Sequence, residues 1–204
     1  MLKKIFFILT LVFTYQTFFA QYKGSKIILG LAYGIGNELK NSDYTYTNNY
    51  YKLQVYYAFK DTKNFRYEVL LQPELNFAKH ELLNFYFVKP NDPNYIEKRE
   101  RFTKLKNIRE YVFNIGFLMR KPVFKTASIY FLGSVGPMYT DTETERLSKG
   151  FAFSDVLAVG FTFKINSVTV DIRPNFRHVS NAGLQDSNSG YNTKNIEFGF
   201  SFPY

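Results

Sequence analysis

The chain has 204 residues and a formal net charge of +9, and one residue in five is aromatic, with 23 Phe and 17 Tyr. It contains no cysteine and two histidines, which excludes disulfides, thiolate metal sites and a lipid-modified cysteine anchor and leaves little for a transition-metal centre, so neither a metal nor a cofactor is expected. The length suits one domain, and the aromatic excess suits strands better than helices.

Residues 1–20 form a unit of their own. Lys3 and Lys4 give a positive start, and Ile5 to Thr14 is an apolar run too short to cross a bilayer as a helix. This predicts an export signal peptide ending at Ala20, followed by one domain over residues 21–204. The mature chain stays basic, which suits anionic surfaces such as lipid phosphates. No nucleic-acid-binding pattern is present, so nucleic acid is not an expected partner.

Beyond the signal, period-two alternation replaces any 3.6-residue period. It predicts eight strands near 26–35, 51–60, 65–78, 107–121, 126–140, 151–164, 167–179 and 193–203. The third is the clearest: Phe65, Tyr67, Val69, Leu71, Pro73, Leu75 and Phe77 alternate with Arg66, Glu68, Leu70, Gln72, Glu74 and Asn76. Connections near 61–64, 122–125 and 165–166 are short, whereas those near 36–50, 79–106, 141–150 and 180–192 are long. Short turns at one end and long loops at the other mark an outer-membrane barrel with both termini on the periplasmic side.

Alternation alone does not tell a soluble lipid-binding barrel from its inside-out membrane counterpart. Three features favour the membrane. The apolar face carries more aromatic volume than an eight-stranded interior can hold. The opposite face mixes small residues (Gly30, Ala32, Gly34) with both signs of charge, including Arg66, Glu68, Glu74, Glu110, Asp171, Arg173 and Arg177. The chain also ends on an alternating aromatic strand, Ile196, Phe198, Phe200 and Phe202. The expected fold is therefore all-β, an eight-stranded antiparallel transmembrane β-barrel.

One stretch carries chemistry: Phe176-Arg177-His178-Val179-Ser180-Asn181-Ala182-Gly183-Leu184. His178 and Ser180 continue the lipid-facing row of the seventh strand at its outer end. Residues two apart on a strand share a face about 6–7 Å apart, a distance an imidazole can bridge to a hydroxyl. A neutral His could then take the Ser proton as the oxygen attacks an ester carbonyl. The bland alternative is a pair of interfacial polar residues without chemistry. The second long loop holds Lys98, Arg99, Arg101, Lys104 and Lys106, which could meet lipid phosphates or could be a solvated run; His80, read into the same loop, has no companion ligands.

The run His-Val-Ser-Asn-Ala-Gly-Leu, with Asn188-Ser189-Gly190-Tyr191-Asn192 and a final aromatic strand, resembles the PagL-like lipid A 3-O-deacylases, also described as acyloxyacyl hydrolases. The resemblance implies an outer-membrane serine esterase acting on lipid A of lipopolysaccharide. His178 would be the general base and Ser180 the nucleophile, with backbone N–H groups at Asn181 and Gly183 forming the oxyanion hole. At the third triad position, where the best-known members carry Glu, this chain has Asn192, which shares a face with Ile196 and Phe198. An Asn carbonyl can hold the ring but cannot stabilise the imidazolium by charge; Asp186 in the loop stays open as the alternative third member, and the bland reading of Asn192 is an ordinary turn residue. The alternative from another class is a non-enzymatic barrel with a structural or adhesive role. The acyl position cleaved stays open, as does a homodimer.

Overall fold

The computed structural model describes residues 26–204. The signal peptide expected over residues 1–20, and the domain start at residue 21, lie outside the described residues. Eight strands follow in chain order: β1 (Ile27–Glu38), β2 (Tyr44–Asp61), β3 (Arg66–Leu82), β4 (Lys106–Pro122), β5 (Ala127–Thr140), β6 (Gly150–Ile165), β7 (Val168–Ser180) and β8 (Tyr191–Pro203). Each pairs antiparallel with the next, and β1 pairs with β8, which closes the barrel and leaves no sheet edge. No helix among the described residues is long and apolar enough to cross a membrane; crossing falls to the strands.

The alternation read from the sequence decides which side chains face out. Tyr33, Leu53, Phe113, Phe117, Phe131, Phe161, Phe198 and Phe200 are all exposed on the outer wall. The inner face carries charge and amide groups. Arg173 is fully buried and donates to Tyr130 Oη, Tyr56 Oη, Asp171 and Glu197. Arg177 donates to Glu74 Oε1 at 2.8 Å and to Glu110 Oε2 at 3.0 Å. Lys52 bridges Glu74 and Glu197, while Glu68 accepts from both Arg66 and Arg120. A polar core of this kind is stable because each buried charge meets an opposite one, a condition that a lone buried ion would fail by several kcal/mol. Room for the inward tyrosines comes from glycines on neighbouring strands. A Cβ at Gly160 would fall 2.0 Å from Tyr130 Cζ, and one at Gly34 would fall 2.2 Å from Tyr50 Cζ.

Proline lacks the N–H that a ladder needs. Pro73, Pro137 and Pro174 lie on β3, β5 and β7, and at each the register with the preceding strand is interrupted, while pairing with the following strand continues.

Three expectations need correction. The strand expected near 51 begins at Tyr44, because Tyr44, Tyr46, Asn48 and Tyr50 turn inward and are buried. Their outer neighbours Thr45, Thr47 and Asn49 are polar, so the apolar-outward signal disappears although the strand does not. β3 extends to Leu82, which places His80 inside the barrel mouth rather than in a loop; its Nε2 lies 2.9 Å from Glu145 Oε2. The 83–105 connection is also not wholly irregular. It holds a 3-10 turn at Phe85–Phe87 and a helix α1 at Tyr95–Phe102, whose Phe102 packs with Leu82 and Val88.

Candidate active site

The upper end of β7 is fixed from inside. Arg177 points into the core, where Glu74 and Glu110 hold it, so its neighbours His178 and Phe176 must point outward. Across the β7–β8 ladder His178 faces Asn192 directly, and His178 Nδ1 lies 2.8 Å from Asn192 Oδ1. The amide oxygen can only accept, so Nδ1 carries the proton and Nε2 presents a lone pair. That is the tautomer a general base needs. Ser180 ends β7 on the same outer face and lies opposite Phe153 of β6. No hydrogen bond joins Ser180 to His178; the structure brings the His–Asn pair together and leaves the hydroxyl beside it.

The loop after Ser180 is tightly built. Ala182 and Gly183 have φ of 55° and 77°, and the Leu184 N–H donates to Asn181 O at 3.0 Å. Asn181 is buried; its Nδ2 donates to Ser187 O at 2.9 Å. The two N–H groups expected to form an oxyanion hole are both engaged here. That of Asn181 donates to Asn188 Oδ1 at 2.7 Å, and that of Gly183 donates to Asn181 Oδ1 at 3.0 Å. Both lie in the turn that follows Ser180, and neither is free. The loop returns at Gly190 (φ 65°), where a Cβ would fall 2.3 Å from Val179 O. Arg146 pins that return by donating from Nε to Gly190 O at 2.7 Å.

Other residues expected at the site fall elsewhere. Asp186 is exposed in the 181–190 loop and makes no hydrogen bond to His178. Of the basic run, Arg99 donates to Val88 O and stacks on Phe85, Tyr86 and Tyr95. Arg101 pairs with Glu143 at 3.0 Å, and Lys106 donates to Arg101 O as it opens β4. These three hold the loop together, whereas Lys104 stays exposed. His80 with Glu145 is a buried pair, and no group of three or more His, Cys, Asp or Glu that could hold a metal occurs among the described residues.

The model of the family described as lipid A 3-O-deacylase (PagL) matches residues 94–201. The chain belongs to this family. The match spans β4 to β8 and so contains His178, Ser180 and Asn192. No curated protein matches the sequence. Among solved structures, the crystal structure of the outer membrane enzyme PagL is similar, with 12% identity and a TM-score of 0.57 over 86% of this chain and 99% of that one. Neisserial surface protein A is similar with 8% identity and a TM-score of 0.52 over 88% and 98% of the two chains. The outer membrane protein OprG from Pseudomonas aeruginosa is similar with 11% identity and a TM-score of 0.51 over 92% and 100%. At these identities the likeness is one of fold. The family's frame is thus shared with a surface protein and another membrane barrel, and the deacylase reading has to rest on the outer wall.

One residue on that wall was missed. Asp155 of β6 is the direct ladder partner of His178 on its other side. The signal was available in the parity of β6: Phe151, Phe153, Leu157, Val159 and Phe161 form an outward apolar row that a single carboxylate interrupts.

Proposed function

We propose that this member of the lipid A 3-O-deacylase family is a serine esterase of the outer membrane that removes an acyl chain from lipid A. The observation that supports it is the 2.8 Å contact between His178 Nδ1 and Asn192 Oδ1 on the lipid-facing wall, with Ser180 two residues along the same face. A purely structural barrel has no use for an oriented imidazole beside a hydroxyl at the rim of an apolar wall.

The chemistry follows. As Ser180 Oγ attacks the ester carbonyl, its proton passes to His178 Nε2, while Asn192 keeps the ring from turning. The carbonyl π electrons move to oxygen and are stabilised by N–H donors of the 181–183 turn. Those donors must first be released by Asn188 and Asn181, so substrate exchanges a side-chain acceptor for its own oxyanion. Collapse expels the sugar oxygen, which takes the proton from His178. Water, deprotonated by the same Nε2, then attacks the acyl-serine ester; the Ser180 oxygen leaves and takes that proton back from His178, which releases the fatty acid and restores both residues. The acyl chain has a path along the outward apolar residues below the site, Phe176, Pro174 and Ile172 of β7.

The test is mass spectrometry of lipid A from cells producing the wild type or Ser180→Ala. The wild type should yield lipid A lighter by one acyl chain together with free fatty acid. The variant should insert normally and leave lipid A intact. Full activity in Ser180→Ala would remove the serine mechanism.

A further inference from the structure

We infer that Asp155 is a positioning residue for this site: its carboxylate stabilises the His178 imidazolium from the β6 side and supplies the charge that Asn192 cannot. The inference rests on the esterase reading above.

Three observations carry it. First, the ladder places Asp155, His178 and Asn192 in one cross-strand row over β6, β7 and β8, with His178 in the middle. Directly opposed outward residues have Cβ atoms about 4.5–5.5 Å apart, within the range at which charges act on one another. Second, Asp155 is an ionisable residue in an otherwise apolar, membrane-facing row, where a carboxylate is costly and calls for a function and a partner. Beyond the backbone ladder, its side chain makes no hydrogen bond or ion pair with any described residue, so no structural pairing accounts for the carboxylate. Third, the other groups around the imidazole leave its charge uncompensated. Asn192 is neutral, and Lys194, diagonal to His178 on β8, is a cation that opposes imidazolium formation. The Arg177 charge is turned inward and neutralised by Glu74 and Glu110. Asp155 is therefore the negative group on the outer wall beside this ring.

The division of labour is then unusual. In a Ser-His-acid triad one carboxylate both orients the ring and stabilises its charge. Here the two tasks are separated: Asn192 orients through Nδ1, and Asp155 acts through space from the neighbouring strand. A negative charge beside the ring matters most when the proton has arrived on Nε2, so the effect belongs to the transition state rather than to substrate binding.

The experiment measures fatty-acid release by the full-length protein in lipopolysaccharide-containing vesicles. Asp155→Asn keeps shape and removes charge; kcat should fall on the order of 10- to 100-fold with KM little changed. Asp155→Glu should retain most of the rate. The decisive variant is Asn192→Glu in the Asp155→Asn background. It returns a carboxylate to the other side of the ring and should restore most of the lost kcat, a rescue that a merely structural role would not give. Wild-type rates in Asp155→Asn, or a loss that Asn192→Glu does not repair, would overturn the inference. Should Asp155→Asn fail to insert, Asp155→Ser serves in its place. Failure of the esterase reading looks different: the wild type and Ser180→Ala would then be equally inactive, and both conclusions would fall.

Discussion

Arg177 and His178 are adjacent in sequence and lie on opposite sides of the barrel wall. Arg177 is held inside by Glu74 and Glu110, and His178 is held outside by Asn192. The buried ion cluster thereby aims the candidate base. Arg177→Ala would leave the buried Glu110 without its cation and Glu74 with Lys52 alone, at a cost of about 3–5 kcal/mol. We expect loss of the compact, heat-modifiable form on unheated gels, together with loss of activity. Arg177→Lys, which keeps the charge but loses the fork, should fold with reduced thermal stability.

Asn192→Ala should insert normally, since the residue is exposed on the outer wall. It should lower kcat about 10- to 100-fold, because the imidazole loses the partner that fixes its tautomer. Asn192→Glu in the otherwise native chain should preserve or raise the rate. An unchanged rate in the Ala variant would assign ring orientation to another group.

Asn181 ties the turn after Ser180 through four hydrogen bonds: its side chain donates to Ser187 O and accepts from Gly183 N, its N–H donates to Asn188 Oδ1, and its carbonyl accepts from Leu184 N. Asn181→Ala removes the two made by its side chain. The barrel should remain intact by gel shift, while the 181–190 segment becomes more sensitive to protease and fatty-acid release drops by on the order of 10-fold or more. Retained activity together with retained protease resistance would show that the turn does not depend on this side chain.

Gly160→Ala places a methyl group against the Tyr130 ring, whose hydroxyl is committed to Asp171 at 2.7 and 2.8 Å. The ring cannot yield without loosening that network, so overpacking should cost about 1–3 kcal/mol. Urea titration of refolding in lipid should show a lower midpoint. Gly133→Ala is the control, because its added Cβ would meet Leu157 at 3.7 Å, an ordinary contact.

The barrel was legible because outward and inward residues differ in kind wherever a strand crosses the hydrocarbon. Phe113, Ile115 and Phe117 against Asn114 and Gly116 need no structure to interpret. Legibility ended where strands rise beyond the apolar layer. At Tyr44–Tyr50 the aromatic rings turn inward and the polar residues outward, so the pattern inverts and reads as loop. α1 was hidden because it has eight residues and its preceding Asn94 gives no side-chain cap. Of the site, parity alone put His178, Ser180 and Asn192 on one wall, since spacing along a strand and the hairpin count determine a face. Asp155 escaped because its neighbour in space is 23 positions distant in the chain, and only the β6–β7 register makes them a pair. The state of the Asn181 and Gly183 N–H groups was equally invisible, because it depends on how a ten-residue loop folds back on itself.

The ion pairs that fill the barrel also decide how molecules reach the site. With Lys52, Arg173 and Arg177 interlocked with acids across the lumen, neither substrate nor released fatty acid can travel through the protein. On the proposed chemistry both must arrive and depart sideways, within the plane of one leaflet. Turnover would then answer to the number of lipid A molecules per unit of membrane area rather than to any bulk concentration. A bilayer diluted with inert lipid should slow the protein even when total substrate in the tube is unchanged.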